Sequence, residues 1–285
     1  MFLQIIWIFA LRLNLRNNIL NMDISQTSHK INIKTKNLSI PIIIAIEGFV
    51  SIAVEIICMR QLVQFVGNSV QVTSIIIGAF LLGLAYGYKR GAEYIGSEPS
   101  LLFKNFLIAS LLLWIGLSYI FIECYFTLIG RWISLDPIID LIIYLTIIIV
   151  PLVYLLGQTV PITMNLLGKA TSFNAVGGLV LHISAIGSFL GAVSTSLLFM
   201  NYFGVANTVI FNSILLSLAA ILIMPQRKKI EMVVMFTAIT IIAGLSMQQI
   251  QHNAGLIHET SYSTYFIRDN YVLDNKKGKI FIINR

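Results

Sequence analysis

Two glutamates lie inside the first long apolar segment of the chain, where a charged side chain is costly. Glu47, Ser51 and Glu55 are four residues apart, so on an α-helix they fall within about 80° of one another. They form one polar stripe, which must face other helices or water. Two carboxylates on such a stripe could bind a cation or carry protons. The alternative is structural, with Glu55 forming an ion pair with Arg60 or with a cation on a neighbouring helix.

Two further polar residues lie in or beside apolar segments. His182 is a lone histidine in the fifth segment, and as a buried side chain it would either bond to a neighbouring helix or act as a ligand. Gln158 lies in a Gly-Gln-Thr-Val-Pro sequence that follows the fourth segment. Such a Gly/Pro break either frees backbone groups to line a cavity or simply ends a helix. The candidate polar site therefore consists of Glu47, Ser51, Glu55, Arg60, His182 and Gln158.

The apolar segments predict the fold class. The chain is 57% hydrophobic and only 11% charged, more apolar surface than a water-soluble domain of 285 residues could bury. A membrane span needs roughly 20 mostly apolar residues, and the alternating pattern of a membrane barrel is absent. We therefore predict an all-α polytopic membrane protein with about seven transmembrane helices. They are placed at residues 40–60, 70–88, 101–123, 138–157, 176–200, 207–224 and 231–247.

Small residues in the fifth segment predict a close helix contact. Ser184, Gly187, Ser188 and Gly191 follow one another at helical spacing and leave a smooth strip along one side. In membranes, such strips allow two helix backbones to approach closely. We expect another helix to pack against this strip.

The chain divides into three parts. Residues 1–38 form an N-terminal lead, whose apolar start at 2–11 is too short for a span and suits an interfacial helix. Residues 39–247 form the transmembrane helical domain. Residues 248–285 have a different composition, with β-prone runs on both sides of a turn sequence at 274–278, which predicts a short C-terminal β-hairpin.

The positions of Lys and Arg predict the orientation in the membrane. With the lead inside, the outer loops hold only Arg60 and Arg131, and the inner segments hold twelve basic residues. We therefore predict a protein of the cell (inner) membrane with a cytoplasmic N-terminus. Seven spans would place the tail outside, although its five Lys and Arg favour the inside, so its side stays open. The inner residues are Arg12, Arg16, Lys30, Lys34, Lys36, Lys89, Arg90, Lys104, Lys169, Arg227, Lys228 and Lys229.

The sequence contains none of the common catalytic motifs. It has no Gly-rich phosphate loop after a strand, no HExxH, no nucleophile elbow and no Cys/His metal cluster. We therefore assign no catalytic, metal-binding or cofactor-binding residue. The net charge of +7 follows from the positive-inside arrangement and does not imply a nucleic-acid partner. The partner that the sequence predicts is the lipid bilayer.

Four apolar motifs occur in the order found in one known family. Residues 47–60 (EGFVSIAVEIICMR) resemble the first span of the membrane-bound spermidine synthase-like proteins, in which Glu is followed five positions later by Arg. Residues 78–88 (GAFLLGLAYGY) look like the GxFLLGLAxG second span of that family. Residues 157–161 (GQTVP) resemble its GxTxP element, and residues 181–192 (LHISAIGSFLGA) are similar to its NTxGSxxGA span.

The resemblance extends into the tail and has two departures. Residues 259–265 (ETSYSTY) resemble the ExxY opening of the family's aminopropyltransferase domain, so the resemblance covers about residues 40–285. Ser184 and Ala185 stand where the family usually has Asn-Thr, and Ser263 stands where Gln often follows the Tyr. Residues 248–285 would then be the start of a truncated aminopropyltransferase-like domain.

The resemblance implies a role in polyamine metabolism. Family members carry a Rossmann-like domain that transfers an aminopropyl group from decarboxylated S-adenosylmethionine to putrescine, and this cofactor is implied only for the missing domain. The Gly-rich loop that would hold the nucleoside is not in this sequence, so we expect no catalysis by this chain alone. Either a separately encoded aminopropyltransferase domain completes it, or the membrane domain has an independent role. The alternative function is a transporter or binding protein for a small cation such as a polyamine.

Overall fold

The computed structural model describes most of the apolar part of the chain and the strands of the tail. Asn37–Arg285 form one compact unit, and the predicted lead, 1–38, lies outside the described residues. Most of the predicted seventh span, 231–247, also lies outside them. The described residues are 39–94, 100–132, 136–168, 173–223, six isolated positions from 231 to 241, and the strands within 256–284.

Up to residue 223 the described part is nearly all helical. Two π-helical turns, Leu145–Ile149 and Thr195–Phe199, join consecutive α-helices without a loop. The α-helices are α1 (Ser39–Val66), α2 (Val70–Ala92), α3 (Ser100–Gly116), α4 (Tyr119–Trp132), α5 (Pro137–Tyr144), α6 (Val150–Gly157), α7 (Thr159–Gly168), α8 (Phe173–Ser194) and α9 (Met200–Ile223).

Four helical segments in the described part are long and apolar enough to cross a bilayer. A fifth is formed by Ser100–Gly116 and Tyr119–Leu128 if this pair, bent by 62°, crosses as one span. The first helix runs to Val66, past the predicted end of its span, so Arg60 lies within α1 and not in a loop. The four unbent segments are Ile40–Val66, Val70–Ala92, Pro137–Leu167 and Val176–Ile223.

The last of these segments contains a break. Its 48 residues would measure about 72 Å as one straight helix, whereas the hydrocarbon core of a bilayer is about 30 Å thick. Gly204 interrupts it with φ 76° and ψ 170°, a backbone conformation that glycine adopts without steric strain. The break falls between the predicted fifth and sixth spans.

α6 ends at Gly157, where the fourth span was predicted to end, and α7 follows after one residue. Only Gln158 separates α6 from α7, and the Ile162 N–H donates to the Gln158 carbonyl at 3.2 Å in the first turn of α7. Pro161 is the third residue of α7, where the backbone N–H of a helix has no intrahelical acceptor, so the proline removes no bond. The Gly/Pro sequence therefore ends α6 and starts α7 within one apolar helical segment, Pro137–Leu167.

The predicted close contact at the small-residue strip is confirmed. An added Cβ on Gly187 would collide with the Ala45 backbone, and one on Gly191 would lie 2.8 Å from Phe49 Cα. The backbones of α1 and α8 therefore touch at both places. Because the residue numbers rise together along the contact, α1 and α8 run parallel.

A second parallel contact joins α2 to α6. An added Cβ on Gly83 would lie 3.0 Å from Val153 Cβ, and one on Gly87 would lie 3.0 Å from Gly157 Cα. Glycines again allow the approach, here on both helices at Gly87 and Gly157. Glycine contacts therefore pair α1 with α8 and α2 with α6.

The tail contains an antiparallel sheet in the order β1–β2–β3. The strands are β1 (Leu256–Glu259), β2 (Thr264–Leu273) and β3 (Lys276–Asn284). Leu273 pairs with Lys276, so only residues 274–275 lie between the last two strands, a shorter connection than the predicted turn. The register shifts between Arg268 and Tyr271, where the ladder is irregular.

Candidate functional site

Glu47 lies in the contact between α1 and α8. Its side chain is only 2% exposed, and the Ser184 hydroxyl donates a long hydrogen bond of 3.4 Å to its Oε2. One turn further along α8, the Ser188 hydroxyl donates to the Gly48 carbonyl at 3.1 Å. The two serines thus supply polar partners along the same face that carries the close-contact glycines.

The rest of the glutamate stripe is less deeply placed. Ser51 and Glu55 are half-buried on α1. Glu47 and Glu55 are eight residues apart, which is about 12 Å along the helix axis. The stripe therefore runs from a buried carboxyl group to a partly accessible one. The pairing of Glu55 with Arg60 stays a prediction.

The setting of Glu47 limits what its carboxyl group can do. An ionised carboxylate is very costly to bury unless it is paired, and a neutral hydroxyl at 3.4 Å is a weak partner. The group must therefore hold a proton or receive a cation when it is enclosed. Both are the chemistry that intramembrane carboxylates supply in proton and ion pathways.

Gln158 lies in a different place from the glutamate stripe. Its Oε1 accepts a hydrogen bond from Asn105 Nδ2 at 3.0 Å, between α3 and the α6–α7 junction, and both side chains are 4% exposed. The next residue, Thr159, is fully buried, and its hydroxyl has no hydrogen-bond partner among the described residues. Gln158 is therefore part of an interhelical polar contact and does not extend the Glu47 site.

His182 is not buried, contrary to the prediction. Its side chain is exposed on α8. It precedes Ser184 by two residues, which is about 160° around a helix, so it points away from the face that packs on α1. The small-residue strip determines which face of α8 is packed. A single histidine in an apolar segment does not predict on which face it lies.

The sequence reasoning missed one polar cluster inside the bundle. The Ser110 hydroxyl on α3 lies 2.8 Å from the hydroxyl of Ser213 and 3.0 Å from that of Ser217, both on α9. All three side chains are 0% exposed. The i, i+4 spacing of the two serines on α9 was the available signal. The three hydroxyls bond to one another, so we interpret the cluster as a contact between α3 and α9.

The described residues contain no cluster of potential metal ligands. No group of three or more His, Cys, Asp or Glu side chains in the described part could hold a metal ion. The candidate site is therefore the glutamate stripe, with Glu47 and Ser184 at its buried end. Comparisons with models of protein families, with curated proteins and with solved structures find no match for this chain.

Proposed function

We propose that this chain is the membrane domain of a spermidine synthase-like protein, with a role in polyamine metabolism and no transferase activity by itself. The observation that carries the proposal is the way in which the four motifs meet. Residues 47–60 contact residues 181–192, and residues 78–88 contact residues 157–161, each time through glycines. If the chain shares the fold of this family, its motifs must pack together although they are distant in sequence. The backbone contacts between them support this.

The proposed topology has seven spans with the N-terminus inside, in the cell (inner) membrane. The parallel α1 and α8 need an odd number of crossings between them, and three predicted spans separate them. The break at Gly204 supports two spans where one would be far too long. The excess of Lys and Arg on the inner side supports the direction.

The proposed transferase step is carried by residues outside this sequence. A nucleoside site needs a Gly-rich turn from a strand into a helix and an acidic residue for the ribose. After residue 247 the sequence has no such turn. We propose that β1–β3 belong to an aminopropyltransferase-like domain and that residues outside this sequence supply its site for decarboxylated S-adenosylmethionine.

The test combines a cellular and a biochemical measurement. Deletion of the gene is expected to change the putrescine-to-spermidine ratio of the cells, measured by chromatography, and expression of the chain is expected to restore it. The purified chain is expected to form no spermidine from putrescine and decarboxylated S-adenosylmethionine. Unchanged polyamine pools, or spermidine formed by the chain alone, would contradict the proposal.

A second candidate function is binding or transport of a small cation such as a polyamine. The specific observation in its favour is Glu47, a buried carboxyl group whose described partner is one distant hydroxyl. Spermidine is long enough to reach both carboxylates of the stripe, which lie about 12 Å apart.

Its test is the binding and uptake of labelled spermidine by proteoliposomes that contain the chain. Glu47→Gln and Glu55→Gln are expected to reduce both signals, alone and together. Glu93→Gln is the matched control, because Glu93 lies on the surface at 52% exposure beside Arg90. Normal accumulation with unchanged spermidine binding in both single variants would end this hypothesis, and failure to accumulate would show that the stripe is structural.

A further inference from the structure

We propose that Glu47 is a proton-binding site, in which the contact between α1 and α8 holds the carboxyl group in its neutral form. The group releases its proton only when the two helices separate. The inference decides which of the two states open to this carboxyl group is the enclosed one. It involves no polyamine, so it does not depend on either of the functions proposed above.

The contact between α1 and α8 encloses the Glu47 carboxyl group. The side chain is 2% exposed, and its described polar partner is the Ser184 hydroxyl, which donates to Oε2 at 3.4 Å. This bond is long, and a hydroxyl carries no charge to offset that of a carboxylate. An ionised group buried without a charged partner is very costly, and such groups become neutral instead. With Oε2 as the acceptor, the proton is carried by Oε1.

The backbones beside Glu47 lie too close together to suit a metal ion. A Cβ added to Gly48 would lie 3.1 Å from the Ser184 carbonyl carbon and 3.1 Å from the Ser188 hydroxyl oxygen. That hydroxyl already donates to the Gly48 carbonyl. Calcium and magnesium ions require several oxygen ligands or bound water. A proton requires neither, so it suits an enclosure formed by touching backbones and one hydroxyl.

The parts of α7 and α8 that pack near Glu47 are uncharged. α8 presents its strip of small residues, and His182 points away from α1. α7 packs on Ile44, three residues before Glu47, through Val160. The sequence of α7 contains no titratable residue. Neither helix therefore supplies a cation that would keep Glu47 ionised.

The titratable side chains of α2 and α9 do not compensate a charge on Glu47 either. Tyr88 of α2 is close enough to interact electrostatically with Glu47, but a tyrosine is uncharged at neutral pH. The next two residues, Lys89 and Arg90, are exposed, and Arg90 already forms an ion pair. The titratable residue of α9 is Tyr202, which is 79% exposed.

The charges on α1 itself also favour a neutral Glu47. Glu55 is half-buried and lies about 12 Å away along the helix, so an ionised Glu55 would oppose a second negative charge. Arg60 is thirteen residues from Glu47, about 20 Å along the axis, and is therefore the more distant of the two. Burial and the nearer charge thus act in the same direction.

Proton binding at Glu47 is coupled to the contact between α1 and α8. The neutral carboxyl group can be enclosed, whereas the ionised one needs water, so ionisation favours a state in which the helices are apart. The coupling is reciprocal, and separation of the helices lowers the affinity of Glu47 for its proton. The backbone contact at Gly187, one turn beyond Ser184 on α8, is part of this closure.

The experiment is infrared spectroscopy of the full chain, purified in detergent, at neutral pH. A protonated carboxylic acid has a C=O stretching band that a carboxylate lacks. The wild-type chain is expected to show this band, and Glu47→Gln is expected to remove it while keeping the melting temperature, because an amide replaces a neutral acid of similar shape. Glu55→Gln and Glu93→Gln are expected to keep the Glu47 band. A wild-type spectrum without the band, or a folded Glu47→Gln protein with the band at full intensity, would overturn the proposal.

A second variant identifies the group even if Glu47→Gln does not fold. Ser184→Ala keeps the strip small and removes the donor to Oε2, so it is expected to fold and to move the band to higher wavenumber, as a C=O group does when it loses a hydrogen bond. Ser188→Ala is the matched control, because it loses a bond to the Gly48 carbonyl instead and is expected to leave the band in place. An unmoved band in Ser184→Ala would refute the assignment to Glu47.

Two glycine variants test the coupling to the helix contact. Gly187→Ala forces α8 away from the Ala45 backbone and admits water, so the pH at which the band disappears is expected to fall by about one unit or more, a tenfold change in proton affinity. Gly178→Ala meets nothing within 4 Å and is expected to leave that pH unchanged. The same pH in both variants would show that the contact does not hold the proton.

Discussion

Substitution of Gly187 by alanine is expected to destabilise the bundle by about 2–3 kcal/mol. The added Cβ would lie 3.0 Å from both the Cα and the carbonyl carbon of Ala45, and closer still to its oxygen. Carbon atoms pack best at about 3.5–4.0 Å, so α1 and α8 would have to separate by about 0.5–1 Å. Such a gap forfeits a quarter to a half of each local contact energy, and overpacking typically costs about 1–3 kcal/mol. The obstacle here is backbone, which cannot rotate away, so the upper part of that range applies.

Gly178 provides the matched control on the same helix. An alanine Cβ at Gly178 meets nothing within 4 Å, so Gly178→Ala is expected to be neutral or to stabilise α8 by up to about 1 kcal/mol through helix propensity. The assay is reversible unfolding in mixed detergent micelles with increasing dodecyl sulfate, followed by circular dichroism. If the two variants unfold within about 0.5 kcal/mol of each other, the close contact between α1 and α8 does not carry the stability assigned to it.

Three further outcomes follow from the polar contacts and the charge distribution. Ser110→Ala is expected to cost about 1–3 kcal/mol in the same assay, because its two serine partners on α9 lose a shared hydroxyl; a loss below about 0.5 kcal/mol would contradict this. Asn105→Leu is expected to cost a similar amount, because it leaves Gln158 Oε1 without a donor. The double variant Asn105→Leu/Gln158→Leu is expected to lose less stability than the sum of the two single losses, and full additivity would contradict this. Reporter fusions after Phe203 are expected to read outside and after Arg90 inside, and the reverse pair would refute the topology.

The positions of the helices were accessible from the sequence because a bilayer leaves each backbone amide to be satisfied within its own segment. The predicted starts at residues 40 and 70 match the starts of α1 and α2 within a residue. The contact at Gly187 was also accessible, since small residues at helical spacing are needed for close approach in a membrane. Helix ends were less accessible: α1 runs on past Arg60, whose charge suggested the end of a span.

The partners across the bundle could not be predicted in this way. Gln158 bonds to Asn105, 53 residues away in sequence, and nothing in either local sequence indicates the other. His182 was expected inside because it lies in an apolar segment. That segment is apolar around the whole helix, so the sequence does not indicate which face is packed. Asp140 Oδ1 and Gln61 Oε1 are buried without a hydrogen-bond partner among the described residues, and they were passed over because both residues lie near segment ends, where polar residues usually reach water.

The directions of α2 and α6 indicate that the bent pair α3–α4 crosses the membrane. In the proposed topology α2 ends on the inner side, and α6, which runs parallel to α2, belongs to a segment that must begin on the outer side. The chain between Ala92 and Pro137 therefore has to cross once, and α3–α4 provide the described helices that can do so. The bend at Gly116–Ser118 then lies towards the outer side, where its carbonyls accept from Gln61 and Tyr144. A bend in a membrane helix leaves backbone carbonyls without intrahelical donors, and side chains of neighbouring helices satisfy them. The same bend that shortens this span thus supplies the two carbonyls through which α1 and α5 bond to it.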